Sequence, residues 1–187
     1  MITSHLESAM KAPLQLTALA VCCLSATGAA PYPAAPVSDA FRSIAQRFAK
    51  NLVAAAEEMP ADKYGFKPTP AQMSFGQVVL HVAQGSDYIC SQIGGAPAPK
   101  RSELPAGVSK AKLVGRLEET FRFCESALGK VNDSNLGTKV PYFGESEISR
   151  AQAMFAAVEE WGGHYSQLAV YLRLNGLLPP TAKGSQS

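Results

Sequence analysis

The sequence predicts an all-α protein: a four-helix bundle with a long crossover connection, preceded by a signal peptide. Apolar residues recur at steps of three and four along four stretches between residues 38 and 175, the period of a helix with one buried face. Residues that start or stop helices bound each stretch. No segment alternates apolar and polar residues well enough to make a sheet, although Thr138–Tyr142 suits a short extended piece.

Residues 1–30 stand apart from this pattern. Lys11 precedes an apolar run from Leu14 to Leu24, and small residues follow from Ala26 to Ala30. A positive start, an apolar centre and small residues before a cleavage point make a secretory signal peptide. The residues before Met10 carry none of these features, so Met10 is a candidate true start, with cleavage after Gly28 or Ala30. The apolar run is short for a membrane span, and an uncleaved N-terminal anchor is the alternative. A lipoprotein is disfavoured because Val21, not a small residue, precedes Cys22. The mature protein is then expected in the periplasm or secreted, with no stable membrane insertion. Residues 31–37 hold three Pro and read as an extended linker.

The first helix is expected from Ser38 to Met59, with Ser38 or Asp39 as N-cap and Pro60 as stop. Its inner stripe is Phe41, Ile44, Phe48, Leu52, Ala55 and Met59. The second runs from Ser74 to Ile93: Ser74 and Gln77 form a capping box, and Gly94-Gly95 ends it. Phe75, Val78, Val82, Gly85, Ile89 and Ile93 share its face. The third spans Ser109 to Val131 behind a Ser109 cap. The fourth spans Ser149 to Asn175, with Gly176 after its end and Pro179-Pro180 beyond. Residues 94–108 are long enough to cross the bundle end to end. The bundle domain is read as residues 38–180 and the flexible tail as 181–187.

Composition narrows the function. Lys plus Arg is 17 and Asp plus Glu 15, a net charge of +2 that gives no nucleic-acid footprint. Hydrophobic residues at 47% exclude a disordered chain. No CxxC occurs, so zinc ribbons and zinc fingers are excluded. Loss of the leader leaves Cys90 and Cys124, and His81 and His164. In an oxidising compartment the two Cys form either a disulfide or a pair of buried thiols.

His81 and His164 each lie inside a helix, where a lone His is ordinarily a hydrogen-bonded residue at the bundle edge. Glu160 changes the weighing, because it lies one turn before His164 on the same helix face. Two His and a carboxylate are a ligand set for catalytic zinc and for open non-haem iron sites. Helix bundles build such sites from facing helices. Glu159 is the rival carboxylate, about 140° around the helix from His164. Tyr88 is placed to line a pocket or to pack in the core. Arg173 and Lys139 are solvated surface by default.

Two stretches carry a resemblance. Met73-Ser74-Phe75-Gly76-Gln77-Val78-Val79-Leu80-His81-Val82-Ala83 is similar to the first histidine motif of the DinB-like (DinB/YfiT-type) family of four-helix proteins classed as metalloenzymes. Glu160 to Leu168, followed by Tyr171 to Pro180 with its Asn-Gly-x-x-Pro-Pro ending, resembles the second motif. The resemblance covers residues 38–180. It implies a divalent metal ion (zinc, nickel or iron) held by His81 and His164, with Glu160 standing where the family usually has another His. It also implies a metal-dependent hydrolase or a transferase of low-molecular-weight thiols, acting on a small-molecule substrate that the sequence does not identify. A homodimer is within reach of this fold. The competing reading is a non-catalytic binding or stress protein whose metal site has degenerated.

Overall fold

A computed structural model of the chain describes residues 35–105, 107–144 and 146–183. The expected leader and most of the linker lie outside the described residues. Four long helices dominate: α1 (Pro36–Glu58), α2 (Phe75–Gly94), α3 (Lys110–Leu128) and α4 (Arg150–Leu174). Strands β1 (Lys139–Tyr142) and β2 (Ser146–Ser149) precede α4, and a short α5 (Pro180–Lys183) follows it.

Side-chain pairings fix the helix directions. Met73 meets Tyr171, His81 meets His164 and Ser86 meets Trp161, so α2 and α4 are antiparallel. Gly76 approaches Leu113, Cys90 joins Cys124 and Gly94 abuts Ala127, so α2 and α3 are parallel. Arg42 reaches the Val131 carbonyl while Lys110 reaches that of Glu57, so α1 and α3 are antiparallel. The bundle is therefore up-down-down-up. Parallel α2 and α3 require the long crossover that the sequence predicts.

The start of α1 differs from the sequence expectation. The helix begins at Pro36, inside the expected linker, because proline is tolerated at a first helical position whose N–H has no intrahelical partner. Neither Ser38 nor Asp39 is the N-cap. Ala35 occupies that position and offers no side-chain acceptor. Asp133, from the turn after α3, replaces it. One carboxylate oxygen accepts from the Val37 N–H at 3.1 Å; the other accepts from the Ser38 N–H at 2.8 Å and the Ser38 hydroxyl at 2.6 Å. At the other end of α1, the Ala56 carbonyl accepts from the Tyr64 hydroxyl and the Glu57 carbonyl from Lys110. Burial pushes the Tyr64 phenol far above its ordinary pKa, with Glu57 adding to the effect.

α2 starts with the expected capping box, Ser74 and Gln77 each bonding the other's backbone. Its two final glycines do different work. Gly95 takes the left-handed conformation, φ 65°, that closes the helix. Gly94 is the last helical residue and lets α3 approach: a Cβ there would lie 2.5 Å from the Ala127 carbonyl oxygen. Nearby, Cys90 and Cys124 form a disulfide across α2 and α3, Cα atoms 5.2 Å apart. Closing a loop of this length stabilises by about 3–4 kcal/mol in the chain-entropy account. The crossover is held by Arg101, whose guanidinium forks onto buried Asp87 at 2.7 and 3.0 Å and reaches Glu119 at 3.0 Å. Arg116 adds a weaker contact to Asp87 at 3.4 Å.

A two-stranded sheet forms where at most one extended piece was expected. β1 pairs antiparallel with β2, from Lys139 opposite Ser149 to Tyr142 opposite Ser146. Four-residue strands are too short to show alternation, and Pro141 masks the signal further. Ser149 then caps α4 in a second capping box with Gln152. Beyond α4, residues 180–183 are helical rather than tail, and the Thr181 N–H and hydroxyl both bond the Tyr165 hydroxyl.

The core lies between the four helices, with Leu52, Phe75, Val78, Leu117, Leu168 and Leu172 among its buried side chains. Trp161 sits within it, stacked on Phe41 at 6.1 Å and edge-on to Phe121 at 6.3 Å. Its indole N–H donates to the Ser86 hydroxyl at 2.9 Å.

The Asp133 cap makes stability depend on pH. Hydrogen bonds from Ser38, above all its hydroxyl, hold the Asp133 carboxyl below the usual value. The cap therefore acts fully above the unfolded value of about 3.9 and is lost as pH falls through the lower folded value. Thermal melts between pH 7 and pH 2 should show Asp133→Asn melting below the parent at neutral pH, with the gap closing in acid. A constant gap would mean that the carboxylate charge does not contribute.

Candidate metal centre

The periodicity that buries Trp161 and Leu168 aims Glu160 and His164 sideways, toward α2. There His81 stands two turns into its helix. The His81 and His164 ring centroids are 4.9 Å apart with their planes at 76°. A Glu160 carboxylate oxygen lies 3.2 Å from His164 Nε2. One ligand atom from each of the three residues falls within 4.8 Å of the others. Ligand atoms around a single ion, bonded at about 2.0–2.2 Å, lie at most about 4.4 Å apart. A small inward rotation of the exposed His81 and Glu160 side chains closes the difference, so the residues fit a divalent ion. Glu159, the rival carboxylate, is exposed and outside the cluster.

A chain of hydrogen bonds behind His164 sets its tautomer. The Met73 carbonyl can only accept, so the Tyr171 hydroxyl, 3.0 Å away, donates to it. The Tyr171 oxygen then accepts from the Gln167 amide NH2 at 3.2 Å. That orients the Gln167 carbonyl oxygen toward His164 Nδ1, also at 3.2 Å. An amide oxygen only accepts, so Nδ1 carries a proton, and Nε2 is the ring nitrogen turned toward Glu160 and His81. Metal-binding histidines are commonly fixed this way, by an acceptor on the other ring nitrogen. Two electron-pair donors, Nε2 and the carboxylate, thus face one another at 3.2 Å. A shared cation, or a proton, resolves that arrangement.

The cluster opens into a cavity of about 500 Å³ between α2, α4 and the β1–β2 turn. Its walls include Gly85, Tyr88, Ile89, Phe143 and Trp161. Tyr88 is thus on the cavity wall, and its ring packs against Phe143 at 4.6 Å with the planes tilted by 31°. Arg173 and Lys139 are exposed and line none of it. Cys90 is engaged in the disulfide and is no ligand. Gln167 and Tyr171 had no role in the sequence reading. Their signal was the i+3 and i+7 spacing from His164, which returns both to the His164 side of α4.

The profile of the DinB superfamily matches residues 45–168. The chain belongs to that superfamily. Three solved structures share the fold. A DinB-like protein from Bacillus cereus is 17% identical, with a TM-score of 0.66 over 76% of this chain and 95% of its own. A DinB-like protein from Bacillus subtilis is 18% identical, with a TM-score of 0.61 over 73% of this chain and 92% of its own. A conserved protein from Enterococcus faecalis is 14% identical, with a TM-score of 0.58 over 72% of this chain and 94% of its own. Among curated proteins none matches the sequence.

The relay generates a test. Gln167→Leu removes the acceptor on Nδ1 and should weaken zinc binding by about 10–100-fold. The fold should be kept, since Gln167 is only half-buried. Competition titration against a chromophoric chelator reads the affinity. Gln167→Glu keeps an acceptor and should recover most of it; equal losses in both variants would show that the relay does not orient His164.

Proposed function

We propose that this protein is an exported, metal-dependent enzyme of hydrolase or thiol-transferase type, in which His81, Glu160 and His164 hold a divalent cation such as zinc, nickel or iron. The observation that carries the reading is the pair of electron-pair donors, His164 Nε2 and the Glu160 carboxylate, at 3.2 Å with His81 beside them. When bound, a divalent cation supplies a nucleophile at neutral pH by lowering the pKa of a water or thiol beside it. The chain's own residues do the rest. Gln167 and Tyr171 keep the His164 lone pair turned toward the cluster. Tyr88, Phe143 and Trp161 line the cavity beside the cluster, while the exposed His81 and Glu160 leave it open to a small-molecule substrate.

A second reading rests on the same contact. At 3.2 Å a proton alone joins His164 and Glu160 as an ion pair, which suits a non-catalytic binding protein. Metal content decides between them. Protein purified without chelating tags and dialysed against zinc, nickel or iron(II) should carry one ion per chain. His81→Ala should carry none. Zinc at 100 times its Kd should stabilise the parent by about 2.7 kcal/mol and leave His81→Ala unchanged. An ion-free parent under all three metals favours the second reading.

Export is supported by the Lys11, Leu14–Leu24 and Ala26–Ala30 pattern and by the disulfide. Among the described residues no helix is long and apolar enough to cross a membrane. Mass spectrometry of protein from its native host should show a start between about Ala29 and Tyr32, where the small residues of the leader end. A start at Met1 or Met10 in a membrane fraction would overturn export.

A further inference from the structure

The cavity beside the cluster has a floor and a cover of unusual composition. Gly85 follows His81 by four residues, so it lies one turn along on the same face of α2. A Cβ on Gly85 would meet nothing within 4 Å. Glycine weakens a helix interior relative to alanine, and no close contact here requires it. The space it leaves belongs to the cavity, whose wall continues through Ile89 and Trp161. From the other side the β1–β2 turn carries Phe143 over Tyr88, and the Phe143 side chain stays 52% exposed. Among the described residues that line the cavity, none is Lys or Arg.

We propose that the cavity takes an uncharged aromatic compound, its ring seated over Gly85 between Trp161 and the Tyr88–Phe143 pair, with one donor atom turned to the metal cluster. This assignment of a substrate class rests on the function proposed above. Aromatic side chains line the cavity from α2, from α4 and from the β1–β2 turn, and aromatic pairs prefer offset-stacked or edge-on contact. The volume of about 500 Å³ holds a ring with a short substituent. Away from the cluster the lining offers an anionic group no cation to pair with, which disfavours ligands carrying several carboxylates.

The experiment uses the full-length protein and two probes of the same shape, 4-fluorobenzyl alcohol and 4-fluorobenzoate, followed by fluorine NMR line broadening. It is run both zinc-loaded and after chelation. The ring seat is built from protein side chains, so the alcohol should broaden saturably at millimolar concentration in both forms. The benzoate should bind the chelated protein at least tenfold more weakly, gaining only where zinc meets its carboxylate. Gly85→Leu fills the seat and should abolish alcohol binding while keeping the zinc stoichiometry. Phe143→Ala, on an exposed turn, should weaken it severalfold. Equal binding of both probes to the chelated protein, or alcohol binding unchanged in both variants, overturns the proposal. Absence of zinc binding with the alcohol results intact would overturn the metal reading alone, so the two failures are distinguishable.

Discussion

The hydrogen bond from the Trp161 indole to Ser86 governs the geometry of everything around it. It joins α4 to α2 in the buried centre of the bundle. The indole also packs against Phe41 and Phe121, and together these contacts set the rotation of α4 about its axis. On an α-helix, fixing one residue fixes its neighbours at 100° per step. Glu160 and His164, on either side of Trp161 in sequence, are therefore directed at α2. Ser86 lies five residues after His81, so the same bond sets the height at which the histidines meet. The position of the cluster thus follows from core packing.

Much of this was legible from residue order, and the exceptions have a common cause. The capping box at Ser74, the start of α4 after Ser149, the glycine at 95 and most of the helix stripes are local signals and appear where the sequence places them. So does the spacing of Glu160 and His164. Interactions between residues distant in the chain were hidden. Nothing in the sequence near Ser38 shows that Asp133 will cap its helix. The choice between a disulfide and two thiols needed the parallel packing of α2 against α3, which no periodicity reports. The relay of Gln167 and Tyr171 was half visible: both lie in the second motif, yet the acceptor that gives the chain its direction is a backbone carbonyl at Met73. Gly85 read as one member of a core stripe, whereas it lines a space that the core does not fill.

The carboxylate in the cluster has an electrostatic meaning beyond geometry. Three imidazoles would leave a divalent ion with its full charge of two. A set containing Glu160 leaves one net positive charge, so the centre would attract an anion less strongly and would depend less on countercharge in its surroundings. This agrees with a cavity whose described lining carries no cationic side chain.

The remote cap on α1 also bears on how the chain is made. The first turn of α1 depends on a carboxylate 95 residues further along. During synthesis α1 emerges early, and its leading N–H groups have only water as a partner until the segment after α3 has been produced. A chain released before residue 133 has all of α1, α2 and α3 and still lacks that closure. Closure of that first turn is therefore a long-range event, made only once most of the polypeptide exists.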